Sequence, residues 1–422
     1  MTDKYGLVCA ACGGPVTGSR CSRCPDALVR TEYWKSDFAP SDHPGIFRYL
    51  DWLPSSEAVE TPIGPAVYRS ERLAERLGLS RLYVAFNGYA PELEARNMTG
   101  SFKDFEALPT LLRFRDEAKT SIVVASAGNT ARAFAYAGAL LEFPVYLVVP
   151  EAMRSKLWIP IRPTEAIRLV VISGSHDYTA AIRFAALLTE RLGLAPEGGA
   201  RNVARRDGMG TSVLEFARVV GELPRHYVQA VGSGTGAIAA WEAAIRLIRS
   251  GRFGAILPTL HLAQNAPFTP IHDAWSAGTP IRPETDVPEQ LARIRAIVAD
   301  VLANRNPPYS IPGGVADALH ATSGRTYAVT NAKIAAAQSL FEQSEGPPIS
   351  PEAGAAVAAL SEAAASGAVL HDESILLNIT GNNDALLRRD YHLHPLEPWL
   401  HVASDQASEA GVDRLADRFR RP

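Results

Sequence analysis

From about residue 70 onward, short runs of aliphatic and β-branched residues alternate with longer segments whose apolar positions recur every three to four residues. The short runs predict strands at Leu82–Phe86, Ser121–Ala125, Val145–Val149, Arg168–Ile172, Tyr227–Val231, Thr259–Ala263, Thr326–Val329 and Ser374–Ile379. The periodic segments predict helices over 70–78, 102–117, from 131, near Arg154, and over 178–192, 211–220, 236–249, 331–342 and 351–365. Strands separated by helices of this length imply right-handed crossovers, parallel sheets and ligands at the carboxyl ends of strands. The class is therefore α/β, with two lobes. Residues 31–60 show no period and read as an irregular segment laid across the main body. The proline-rich stretch 267–312 reads as a surface excursion carrying a helix over 289–304, and the charged tail 384–422 as peripheral.

Composition narrows the function classes. Hydrophobic residues make up 47% and charged residues 21% of 422, as in ordinary globular proteins, and a net charge of -3 argues against a nucleic-acid binder. The longest apolar run, Phe134–Pro150, is broken by Glu142 and Pro144, so no membrane partner is expected. No basic-then-apolar leader is visible at the N-terminus, which predicts a cytoplasmic protein. All four cysteines fall within the first 24 residues, as Cys9-x-x-Cys12 and Cys21-x-x-Cys24. In a reducing compartment this pattern predicts four thiolates on one ion in a ribbon-like extension over 1–30. Zinc in a closed structural site is the first expectation, with iron or a metal-free vestige as the alternatives.

Three further stretches carry candidate chemistry. In Asn97-Met-Thr-Gly-Ser-Phe-Lys-Asp104, Lys103 follows a turn and opens a helix, where the positive dipole end and desolvation lower an amine's pKa. That state suits a covalent amine catalyst; a surface lysine beside a helix cap would look the same. Gly232-Ser233-Gly234-Thr235-Gly236 links a predicted strand to a helix and can aim backbone N–H groups at a phosphate. A dinucleotide site would need an acidic residue ending the next strand, which instead ends in Ala263-Gln264-Asn265. Ser126-Ala127-Gly128-Asn129-Thr130 is a second strand-to-helix turn, suited to a carboxylate or simply to capping its helix. Arg201, Arg205 and Arg206 form either an anion fork or a solvated or intersubunit charge face. Arg154 and Lys156 rank lower, and His176 and His261 read as ordinary polar residues.

Together these motifs resemble the fold-type II pyridoxal-phosphate enzymes of the tryptophan synthase β and threonine synthase group. The resemblance implies two parallel-sheet α/β domains, a large cofactor domain over 31–98 and 190–422 and a small one over 99–189, behind the zinc-ribbon-like knuckle. It implies that Lys103 holds pyridoxal 5′-phosphate and shuttles the Cα proton, that Asn129 meets the ring hydroxyl, and that Gly232, Ser233, Gly234, Thr235 and Gly236 hold the cofactor phosphate. Thr380 matches the hydroxyl beside the pyridine nitrogen. Thr99, Ser126, Ala127, Gly128 and Thr130 would bind the substrate's amino-acid end, and Asn202, Arg205 and Arg206 its phosphate. Longer segments, Gly198–Thr211, Gln229–Gly236, Trp241–Ala243, Asn304–Ser310 and Ser121–Ala133, look like those of the cysteate synthase family. That family implies β-replacement on O-phospho-L-serine, with loss of phosphate through an aminoacrylate, sulfite as nucleophile and L-cysteate as product. Gly100 and Asp104 are closer to threonine synthases, so O-phosphohomoserine with water, or O-phosphoserine with another nucleophile, is the alternative. A non-catalytic relative acting through its metal module is a further one. A homo-oligomer is expected.

Overall fold

The computed structural model describes residues 4–174, 178–281 and 286–420. Its larger sheet has six strands in the order Arg325–Val329, Thr259–Asn265, His226–Ala230, Ile375–Ile379, Leu82–Phe86 and Ala66–Arg69. All neighbours are parallel except the edge pair Ala66–Arg69 and Leu82–Phe86. The central strands are buried throughout because helices cover both faces; all five residues of Ile375–Ile379 are buried, the one polar side chain, Asn378, included. On one face lies the helix Pro351–Ala365, whose alanines and glycine let it lie close to its neighbours. On the other lie the helices Val203–Val220 and Thr235–Arg249.

A second, all-parallel sheet runs Ala195–Pro196, Ile122–Val124, Val145–Pro150, Ile167–Ser173 and Pro398–Ala403. The tail expected to be peripheral is part of this body. Pro398–Ala403 pairs with Ile167–Ser173, and the helix Glu409–Arg420 buries Val412 and Phe419 against Tyr146 and Phe184. Its signal is hidden because polar residues alternate with only a few buried ones: Leu400 and Val402 face inward between exposed neighbours. A stretch assigned to the larger body thus supplies an edge strand of the smaller sheet.

Two other expectations change. The helix predicted over 211–220 begins at Val203, capped by the Asn202 side chain. Gly208 marks its crossing with the lysine-bearing helix: a Cβ there would stand 1.9 Å from the Phe105 carbonyl oxygen. The helix predicted over 289–304 spans only Val287–Ala296, followed by a 3-10 turn at Asp300–Leu302. Residues 31–60 are largely irregular, apart from the end of the strand Val29–Tyr33 and 3-10 turns over Gly45–Trp52. His176 lies outside the described residues. No helix among the described residues is long and apolar enough to cross a membrane.

Candidate active site

The lysine motif is held against the end of a central strand. Ile375–Ile379 runs into Thr380-Gly381-Asn382, and this loop pairs with the lysine loop backbone to backbone. Phe102 N–H donates to the Thr380 carbonyl at 3.0 Å and Asn382 N–H to the Gly100 carbonyl at 3.0 Å. The approach requires glycine at 381, where a Cβ would stand 2.6 Å from the Gly100 oxygen. Asp104 closes the motif on itself, accepting from Thr99 N–H at 2.9 Å and from the Thr99 hydroxyl. Burial pushes its carboxyl up to about 7. Lys103 therefore occupies the N-cap position of the helix Asp104–Asp116 at the carboxyl edge of the larger sheet.

The Lys103 side chain is about one-fifth exposed, with Nζ 3.5 Å from Glu106 Oε2 and 4.7 Å from the Phe102 ring centroid. Desolvation holds the amine below the usual lysine range and Arg205 adds to this, while Glu106 opposes both. Glu106 is fully buried and meets Arg205 Nε at 2.9 Å, but its Oε1 lacks a hydrogen-bond partner. Sequence reasoning missed Glu106; its signal was an acid one turn after the lysine on an otherwise apolar face.

The glycine turn leaves the adjacent strand. His226–Ala230 pairs directly with Ile375–Ile379, so residues 231–234 and Thr380 emerge side by side at the same sheet edge. The helix beginning at Thr235 has no side-chain cap, and Ser233 and Thr235 turn their hydroxyls toward each other at 2.9 Å. In the smaller sheet, Ile122–Val124 leads through Ser126–Gly128 to the helix Asn129–Leu141, also uncapped, with open space where a Cβ on Gly128 would sit. Asn129 Oδ1 accepts from Arg132 Nη2.

This donor set fits pyridoxal phosphate. A depressed amine suits an aldehyde, and an uncapped helix start with two hydroxyls suits a phosphate dianion. Loop pairing and strand adjacency place both at one sheet edge.

Of the arginine cluster, Arg205 reaches the acid beside Lys103, while Arg201 and Arg206 are tied to the N-terminal extension. Arg201 donates to the carbonyls of Pro25, Asp26 and Ala27. Arg206, wholly buried, meets Glu242 at 2.8 Å and the carbonyls of Ala200 and Val29. Arg205 lies between Glu106 and Glu197. Asn202 caps its helix and donates to Thr110 and the Glu197 carbonyl. Arg154 pairs with Glu397 and Lys156 with Asp300. His261 hydrogen-bonds His226 and Tyr327 in the larger sheet.

The N-terminal extension is a hairpin of Tyr5–Cys9 and Val29–Tyr33. The sulfurs of Cys9, Cys12, Cys21 and Cys24 all lie within 4.8 Å of one another, Cys12 and Cys21 at 3.8 Å. A tetrahedral ion with bonds of about 2.3 Å to sulfur spaces its ligands by about 3.8 Å, so the four thiols fit one metal. The Gly14 backbone N–H and then the neighbouring thiols pull Cys12 down to about 7.

The pyridoxal-phosphate dependent enzyme family model matches residues 59–381. A cysteate synthase of Methanoregula boonei is 48% identical over 413 residues, covering 97% of each chain. One of Methanocella paludicola is 47% identical over 402 residues, covering 94% of each. Among solved structures, maize serine racemase superposes with a TM-score of 0.58 at 17% identity, over 77% of this chain and 90% of its own, a likeness of fold.

Proposed function

The chain belongs to the pyridoxal-phosphate dependent enzyme family, and from that premise we propose that it performs the cysteate synthase reaction, replacing the phosphate of O-phospho-L-serine with sulfite to give L-cysteate. The observation that carries this reading is near-full-length similarity to cysteate synthases, in a chain whose Lys103 lies beside Thr380 at the sheet edge that bears the glycine turn.

Bound at that edge, pyridoxal phosphate supplies an electron sink that lets an amino acid lose its Cα proton and β-substituent. Lys103 would hold it, with residues 232–236 on its phosphate, Asn129 on its ring hydroxyl and Thr380 at its ring nitrogen. Lys103 Nζ takes the Cα proton and later returns it, a role supported by its depressed basicity. Thr99, Ser126, Thr130 and the backbone of Ala127 and Gly128 orient the α-carboxylate. The carbon–oxygen bond to phosphate breaks, and a carbon–sulfur bond to sulfite forms at Cβ. Zinc is the proposed occupant of the cysteine cluster, supported by four sulfurs with tetrahedral spacing and no other ligand type.

The test is product analysis. Purified protein given O-phospho-L-serine and sulfite should release phosphate and L-cysteate in equal amounts. Threonine from O-phosphohomoserine, with no cysteate from O-phosphoserine, would overturn the proposal.

A further inference from the structure

Arg205 and Arg206 are buried and Arg246 is partly buried, and each contacts a carboxylate, from Glu106 and Glu197, from Glu242 and from Asp207 respectively. Arg132 differs. It lies in the first turn of the helix Asn129–Leu141, partly buried, and no carboxylate of the described residues comes within 4.0 Å of it. Its guanidinium covers the Trp158 ring at 4.6 Å; Nη1 donates to the Lys156 carbonyl at 3.2 Å, Nη2 donates to Asn129, and Nε is closed to solvent without an acceptor. Two of five N–H donors are thus engaged. A guanidinium drawn partly out of water without a touching counter-charge is costly unless a ligand supplies the anion. Asp104, Asp384 and Glu352 act on it only at longer range.

Its surroundings link it to the donor turn through Asn129 and, through Trp158, to the lysine loop. Trp158 packs with Tyr89 and Leu387, and Leu387 would stand 3.3 Å from a Cβ on Gly100, in the lysine loop. The uncapped Ser126–Thr130 turn, one helical turn away, offers neutral donors that suffice for a carboxylate monoanion. A phosphate dianion or a sulfur oxyanion calls for a full positive charge with a planar fork. We propose that Arg132 binds the oxyanion at the β-carbon, phosphate as it leaves and sulfite as it enters, and so sets the choice of substrate. This rests on the cysteate synthase reading.

The experiment titrates holoenzyme calorimetrically with inorganic phosphate, L-cysteate and, as a carboxylate-only control, L-alanine. Arg132→Gln should weaken phosphate and L-cysteate by roughly ten- to a hundredfold, leave L-alanine unchanged, and be partly rescued by Arg132→Lys. Loss for phosphate alone or for L-cysteate alone supports the proposal and assigns the residue to the departing or the arriving group. Unchanged binding of both anions, or equal weakening of L-alanine, overturns it. Should Arg132→Gln fail to fold, Arg132→Lys alone decides: several-fold weaker anion binding supports the fork, wild-type binding overturns it. Wild-type protein that makes no cysteate yet binds phosphate through Arg132 would refute the reaction while leaving the anion site intact.

Discussion

Lys103 shows how far a single residue can be read. Its place at a helix start beside a Gly-Ser turn was legible in the octapeptide, and so was the desolvation that lowers its basicity. Its neighbours were not, because Glu106 and Arg205 come from two helices whose crossing no local pattern announces. Glu106 raises the amine's proton affinity, so Glu106→Gln should lower it further. The expected result is that cofactor capture by the apoenzyme, which requires the neutral amine, keeps its rate to a lower pH than in the wild type; stopped-flow absorbance against pH measures it. The partners of Arg206 are hidden in the sequence for the same reason. Three arginines in six residues look like an anion fork, but two of them hold the N-terminal extension by its carbonyls. Arg206→Ala should cost about 3–5 kcal/mol by leaving Glu242 buried and unpaired, measurable by denaturant unfolding.

At the scale of elements, strands buried on both faces were legible and the tail strand was not, since an edge strand carries polar residues between its few buried ones. The contact of the lysine loop with residues 380–382 depends on Gly381. Gly381→Ala should separate the loops, costing about 1–3 kcal/mol of stability and weakening cofactor retention, followed by absorbance after gel filtration. A pH effect belongs to adjacent strands: burial and the neighbouring His226 hold His261 down to about 3, against an ordinary 6.5. A depressed pKa means that the unfolded chain binds the proton first. The stability from neutral His261 is thus present above about pH 6.5 and lost as pH falls toward 3, by up to about 1.4 kcal/mol per pH unit. His261→Asn should flatten this slope in urea unfolding between pH 6 and 4.

Across the whole molecule, the cysteine hairpin is tied to the body that carries the lysine. The hairpin docks through Leu28 N–H on the Pro312 carbonyl, and through Thr31 and Tyr33 on Asp207. Asp207 belongs to the helix that also carries Arg205, which reaches Glu106 beside Lys103. If the four cysteines hold the proposed metal, stripping it with a strong chelator should therefore lower the melting temperature of the whole chain, rather than release a separate early transition, in calorimetry.

Lys103 as the covalent anchor of the cofactor is tested by borohydride reduction of the holoenzyme followed by peptide mass mapping. A pyridoxyl adduct is expected on the peptide containing Lys103 and absent from Lys103→Ala; an adduct on another lysine, or none in a yellow and active protein, would rule this anchor out.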